Sequence, residues 1–186
     1  MRATELLMEE HRAIETMLRI LEGVCQRLQA GETVDTEHLE RILEFIRVFA
    51  DQCHHGKEED LLFPAMEMAG IPREGGPIGV MLMEHSQGRE YVKGMGNAIA
   101  RYQAGESKAA FDFIANARGY IALLRQHISK EDNILYRMAD MHLTAEKQEE
   151  LLEQFERVER ERIGPGKHEQ FHQLLEYLRK IYAEQS

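Results

Sequence analysis

The chain has 186 residues, four prolines, no tryptophan and a formal net charge of −10 at pH 7. This length suits one domain with a substantial core, and a composition rich in Leu, Glu, Met and Ala favours an all-α protein. The negative charge argues against a nucleic-acid or anionic-membrane surface, and no apolar run approaches the roughly 20 residues of a membrane span. Because Cys25 and Cys53 form no secreted disulfide framework and the first residues do not resemble a signal peptide, we expect a cytoplasmic protein.

The spacing of apolar residues predicts four long helices that form an up-down-up-down bundle over residues 1–141. Thr4 is expected to cap the first helix, and Gly31 and Gly105 are expected to follow the ends of the first and third. Beyond the bundle, residues 142–186 are predicted to form an accessory helical hairpin on the same domain, with packing residues and no metal ligand. The helices should cover about residues 4–29, 35–67, 78–103 and 107–141, then 144–162 and 167–184.

A ten-residue pattern occurs twice in the chain, at 54–63 and 127–136. Each copy reads His-x-x-Lys-Glu, then two residues, two aliphatic residues and an aromatic one. A lone histidine on an apolar stripe precedes each copy by 43 or 42 residues, namely His11 and His85. The repeat therefore offers four imidazoles and two carboxylates in the same order in each half.

The positions of these groups along the helices predict that they meet at one level of the bundle. Counted from the connecting turns, all four histidines lie roughly 30 to 33 Å along their helices, near one end. The glutamate of each copy lies one turn further along the same face as its histidine. The candidate ligands are therefore His11, His54, Glu58, His85, His127 and Glu131.

This set of side chains favours a site for two divalent metal ions over a buried His–Glu network without metal. Buried glutamates are costly unless they are paired or bound to metal, and carboxylates can bridge two ions that imidazoles terminate. A structural zinc site would more often use cysteine. Two non-haem iron ions are the preferred cofactor, with manganese or zinc as the less favoured metals. Ferritin-like bundles differ because their signature is Glu-x-x-His.

The order His11, His54-x-x-x-Glu58, His85, His127-x-x-x-Glu131 resembles the hemerythrin-like, His-His-Glu cation-binding domain over about residues 1–141. The resemblance implies a four-helix bundle around a di-iron centre that binds dioxygen, peroxide or nitric oxide. Oxygen-carrying hemerythrins use five histidines with a glutamate and an aspartate. Here four histidines and two glutamates are expected, as in iron–sulfur cluster repair proteins and iron-sensing relatives. The difference favours sensing or redox chemistry over reversible oxygen transport.

Two functions stay open at this point. The first is a protein that binds O2, NO or related small ligands for sensing, storage or detoxification. The alternative is a redox enzyme or iron donor that reduces NO or peroxide or repairs iron–sulfur clusters, so whether the chain is an enzyme is open. Binding is preferred because the helix patterns show no substrate pocket or acid–base pair beyond the ligands. The expected partners are the small ligand and an unidentified electron donor, without nucleic acid or membrane, in a monomer or homodimer.

Several neighbouring residues are weaker candidates for the site. His55 and Glu59 have the same i, i+4 spacing as His54 and Glu58, shifted by one residue. His54 and Glu58 are preferred because Lys57-Glu58 then aligns with Lys130-Glu131 of the second copy. Glu15 lies four residues after His11 and is interpreted as a solvated or outer acid.

Other chemical side chains are assigned to ordinary structural positions. Tyr91, Tyr120 and Tyr136 are interpreted as core aromatics, although each could donate to a ligand or carry an electron. The segment from His168 to His172 reads His-Glu-x-x-His, a zinc-protease string, but no histidine follows it and few residues remain for a third ligand. We interpret it as an exposed helix face.

Overall fold

The computed structural model describes residues 1–184, and within them it contains helices and no β-strand, so the predicted all-α class is confirmed. Four segments are wound more widely than an α-helix, with π-type hydrogen bonds. The α-helices are α1 (Ala3–Gln29), α2 (Thr36–Phe45), α3 (Phe63–Met68), α4 (Pro77–Gln103), α5 (Ala109–Lys130), α6 (Tyr136–His142), α7 (Ala145–Val158) and α8 (Lys167–Tyr182). The π segments are π1 (Ile46–His55), π2 (Glu58–Leu62), π3 (Glu131–Leu135) and π4 (Glu159–Ile163).

Four helical rods form the predicted bundle. They are α1, the rod of residues 36–68, α4, and the rod of residues 109–142. The connections between successive rods are short, so neighbouring rods run antiparallel. α5 packs against both α1 and α4, and α2 packs against α4. This arrangement confirms the four-helix bundle. No described helix has both the length and the apolar character needed to cross a membrane.

The ends of the helices follow the expected local chemistry in most places. Gly31 and Gly105, which were expected to end helices, both have φ of 82°, a left-handed conformation that favours glycine. The start of α1 differs from the prediction, because Thr4 lies inside the helix. There the backbone N–H of Arg2 donates to Glu5 Oε2 at 2.8 Å, and the hydroxyl of Thr4 instead donates to Asp140 at 2.6 Å.

The wide turns lie where the duplicated motif lies. π1 ends at His55, π2 begins at Glu58, and π3 begins at Glu131. Within the second rod, π1 and π2 lie on either side of Gly56. A wider turn places consecutive side chains at a smaller angle than an α-helix does, so more of them can face the bundle interior.

The C-terminal hairpin of α7, π4 and α8 packs on the outside of the bundle. α7 and α8 both lie against α1, and π4 lies against π1. The hairpin buries six apolar side chains, namely Leu151, Phe155, Phe171, Leu174, Leu175 and Leu178. α8 comes close to α1 at Gly23, where a Cβ atom would overlap the backbone carbonyl of Tyr182.

We expect Gly23→Ala to destabilise the protein although it improves helix propensity. Alanine alone would favour the helix by about 1 kcal/mol, but the overlap with the Tyr182 backbone must push α8 away, which should cost about 1–3 kcal/mol net. Urea unfolding of the metal-free protein measures the change. Gly88→Ala is the matched control, because a Cβ there meets its nearest neighbours at 3.7–3.9 Å. A Gly23→Ala protein as stable as the Gly88→Ala protein would show that α8 does not depend on this contact.

Candidate metal centre

The structure brings the six predicted ligand side chains together in the interior of the bundle. α1 and α4 each contribute one histidine, and each of the other two rods contributes a histidine and a glutamate. All six side chains are buried: His11, His54, Glu58, His85, His127 and Glu131. They form two adjacent groups, each of a size that could hold one metal ion.

Each glutamate lies between histidines of the two groups. Glu131 Oε1 is 3.2 Å from His11 Nε2 and 3.0 Å from His127 Nε2. Glu58 Oε1 is 3.5 Å from His54 Nε2 and 3.6 Å from His85 Nε2. Because carboxylates bridge metal ions well, these positions suit a pair of ions that share both glutamates.

A fifth histidine joins the cluster, and it is the one the sequence ranked second. His55 is 5% exposed, and its ring stacks on that of His85 with the centroids 3.9 Å apart. It belongs to the group of Glu58, His85 and His127, while His11, His54 and Glu131 form the other group. An α-helical repeat would separate His54 and His55 by about 100°, but both lie in the wider π1 segment. The available clue was the second, out-of-register spacing from His55 to Glu59.

A carboxylate faces the Nδ1 atom of each of the five imidazoles. An ionised carboxylate can only accept a hydrogen bond, so Nδ1 carries the proton and the Nε2 lone pair points at the cluster. This is the orientation of histidines that bind metal through Nε2. The pairs are His11 with Asp132 at 2.7 Å, His54 with Glu10 at 3.0 Å, His55 with Asp51 at 3.2 Å, His85 with Glu59 at 2.7 Å, and His127 with Glu84 at 2.9 Å.

These carboxylates are held in turn by four cationic side chains. Arg12 donates to Asp132, Lys57 to Glu10, Arg89 to both Asp51 and Glu59, and Lys130 to Glu84. The imidazoles are therefore fixed through two successive layers of charged hydrogen bonds. Such an outer layer orients ligands and is typical of metal sites.

The repeat in the sequence contains this outer layer as well. The acid before each lone histidine, Glu10 or Glu84, supports the histidine that begins the next motif. The acid that follows each motif glutamate supports a lone histidine of the other half, so that Glu59 holds His85 and Asp132 holds His11. These shared acids were visible in the sequence, but their pairing across the two halves required the fold.

The pKa values of the buried carboxyl and imidazole groups depend strongly on one another. Burial and the neighbouring charge of Glu131 raise the pKa of Glu58 well above its usual value. Burial alone would also raise the pKa of Glu131, but the positive charge of His127 outweighs it and lowers that pKa. Burial acts to lower the pKa of His127, yet the negative charge of Glu131 raises it to about 9. A metal ion that bound here would displace protons, because His and carboxylate ligands bind metal in their deprotonated forms.

The donor atoms fit a metal because several lack any other partner. Glu58 Oε1, both carboxylate oxygens of Glu131 and His54 Nε2 are fully buried and accept no hydrogen bond. Glu131 Oε1 lies beside the Nε2 atoms of His11 and His127, which present lone pairs once Nδ1 is protonated. Lone pairs 3.0–3.6 Å apart repel each other unless a proton or cation lies between them.

The remaining candidates lie around the cluster in different positions. Tyr136 is fully buried, as expected of a core aromatic, and its hydroxyl also donates to Glu58 Oε2 at 3.0 Å. Glu59 supports His85 without joining the cluster, whereas Glu15 lies at the surface paired with Arg12. His172 is exposed.

A third group of potential ligands lies between the bundle and the hairpin: Glu10, Cys53, Glu159 and His168. Its centre already holds the ammonium group of Lys57, which is 2.7 Å from Glu10 and 2.6 Å from Glu159. Burial raises the pKa of the Cys53 thiol to about 12, so it offers no thiolate. This group is an ion-pair network within the described residues and does not form a further metal site.

One family model and several uncharacterized proteins match this chain. Uncharacterized proteins of Mycobacterium bovis and of two strains of Mycobacterium tuberculosis are 26% identical to this chain over 162 residues, which is 87% of this chain. The chain spans 63% of the length of these curated relatives. No solved structure is significantly similar to it. Residues 2–139 match the model of the hemerythrin HHE cation-binding domain. With its buried His/Glu clusters and nearly three quarters of its length matched, this chain belongs to the hemerythrin HHE cation-binding family.

Proposed function

We propose that this protein holds two non-haem iron ions and binds O2, NO or related small ligands for sensing, storage or detoxification. One observation supports this proposal above the others: five buried imidazoles and two buried carboxylates face one another, and every imidazole has its Nδ1 atom held by a carboxylate. Imidazole and carboxylate together suit iron, and no thiolate competes.

We infer from the two groups of the cluster how the residues would divide between two ions. His11 and His54 would hold one ion, and His55, His85 and His127 would hold the other, with Glu58 and Glu131 shared. A reduced pair of iron ions would supply electrons to a bound small ligand, and the group of His11 and His54 would offer its ion one histidine fewer than the other group. On that side, the hydroxyl of Tyr136 lies 3.3 Å from His11 Nε2 and holds its proton toward Glu58.

His55 changes the comparison with oxygen-carrying hemerythrins. Four histidines argued against reversible oxygen binding, whereas five histidines with two carboxylates match the number of ligands those proteins use. Reversible capture of O2 is therefore included in the proposal. The buried free thiols of Cys25 and Cys53 agree with a reducing, cytoplasmic environment.

The alternative is a redox enzyme or iron donor, which would reduce NO or peroxide or supply iron for cluster repair. One observation favours the enzyme: a cavity that could admit a substrate reaches His55 and His85 of the three-histidine group. Such an enzyme would need an electron donor.

We expect protein purified from iron-replete cells to contain about two iron ions per chain. Metal analysis measures this content, and absence of iron, manganese and zinc would contradict the proposal. Stopped-flow mixing of the reduced protein with O2 and with NO then separates the two functions. A stable adduct that releases its ligand supports sensing or storage, while repeated turnover with a chemical electron donor supports the enzyme.

A further inference from the structure

A cavity of about 230 Å³ opens beside the candidate metal centre, between the second rod and α4. Its inner end reaches the rings of His55 and His85. One water molecule takes about 30 Å³ of liquid, and a diatomic ligand needs little more, so the cavity is several times larger than O2 or NO requires. It has room for a small organic molecule about the size of benzoate. We call it the rim cavity.

The walls of the rim cavity are largely apolar. Ile46 comes from π1, Val92 and Gly88 come from α4, and the ring of Tyr120 comes from α5. Gly88 contributes no side chain, so the space in front of Tyr120 stays open. Apolar walls with a few placed polar groups are typical of binding sites for small organic ligands.

The mouth of the rim cavity carries uncompensated positive charge. Of its three cations, Arg89 is neutralised by Asp51 and Glu59. Arg47 and Lys93 are exposed and form no ion pair with any residue in 1–184. Gly96 leaves space for the Arg47 guanidinium, because a Cβ there would lie 2.6 Å from Nη2. In a chain of net charge −10, two unpaired cations at one cavity mouth favour an anion.

We propose that the rim cavity binds a small organic monoanion. Its anionic group lies between Arg47 and Lys93, and its apolar body lies against Val92 and Tyr120, pointing toward His85. The role of this ligand as a partner of the metal centre rests on the proposed function, but its binding does not, because the cavity is formed by the protein alone. The cavity thus gives the protein a ligand class beyond diatomic gases.

The test uses fluorine NMR titrations of 4-fluorobenzoate and 6,6,6-trifluorohexanoate, with the corresponding amides as neutral probes. Both carboxylates should bind the full chain at least about tenfold more tightly than their amides. The double substitution Arg47→Gln, Lys93→Gln should weaken carboxylate binding about tenfold and leave the amides unchanged. Gly88→Leu should abolish binding of all four probes, because its side chain fills the cavity; Gly88→Ala, with only one added methyl group, provides a milder variant.

The control removes the same charge elsewhere. Arg125→Gln, Arg137→Gln takes two exposed arginines from α5 and α6, outside the rim cavity, and should leave both carboxylates bound as before. Equal loss in this control, unchanged binding in folded Gly88→Leu protein, or no binding of either carboxylate would overturn the inference. The titrations are run on both the metal-loaded and the metal-free protein, and the iron content of the purified protein is measured separately. Failure of the anion site is thereby distinguished from failure of the proposed metal centre.

Discussion

His127→Ala is expected to reduce the metal content from about two ions per chain to one or fewer. His127 Nε2 lies 3.0 Å from Glu131, which also faces His11, so its loss removes one ligand and frees a carboxylate shared by both groups. Outer-layer changes alone typically lower metal affinity by about 10–100-fold, and removal of a ligand should cost more. Metal analysis after dialysis against a weak chelator measures the effect.

His172→Ala is the matched control for this substitution. His172 is exposed on α8 and has no part in the cluster, so its removal should leave the metal content unchanged. Circular dichroism of both variants confirms that the bundle is folded. Full metal content in folded His127→Ala protein would remove His127 from the candidate ligands, and equal loss in His172→Ala would point to a site on the hairpin.

Lys57→Met is expected to destabilise the metal-free protein by about 3 kcal/mol or more, the loss typical of breaking a buried ion pair. Lys57 is fully buried, and its ammonium group holds Glu10 and Glu159 at 2.7 and 2.6 Å. Burial would raise the pKa of Glu10, but the hydrogen bond from His54 and the charge of Lys57 lower it to about 2. Without the lysine, this buried carboxylate keeps only His54 as a partner.

The equivalent lysine of the second motif provides a control within the same chain. Lys130 pairs with Glu84 alone, and its side chain is 38% exposed. Water can replace such a pair, so Lys130→Met should cost about 1 kcal/mol or less. Urea unfolding of both metal-free variants gives the comparison. Equal losses would show that burial against the hairpin adds nothing to the Lys57 interaction.

Much of the fold and most of the cluster could be predicted because both follow from periodic spacing. Apolar residues at helical intervals gave the rods, and equal distances from the turns brought His11, His54, His85 and His127 to one level. The inward position of His55 could not be derived in this way, because an α-helical repeat assumes a constant angle between residues, and π1 departs from it. The capping of α1 also differed, since Glu5 pairs with Arg2.

The rim cavity and the outer pairs could not be predicted for a different reason. They depend on which side chains of separate rods come into contact, and one sequence does not give the rotation of each rod about its axis. Arg89, for example, lies 38 residues from Asp51 and 30 from Glu59 in the chain, yet it holds both. A glycine such as Gly88 gives no indication in the sequence of the space it leaves beside Tyr120.

The contact between Lys57 and the hairpin adds to a difference between the two halves of the cluster. The second motif has Ile128 where the first has His55, so the halves already differ by one histidine. They differ again at their lysines, because Glu159 covers Lys57 whereas Lys130 is partly exposed. The His54 side is sealed by α7 and π4, and the His55 side opens to the rim cavity. A small molecule that approaches the centre through the rim cavity would therefore meet the three-histidine side first.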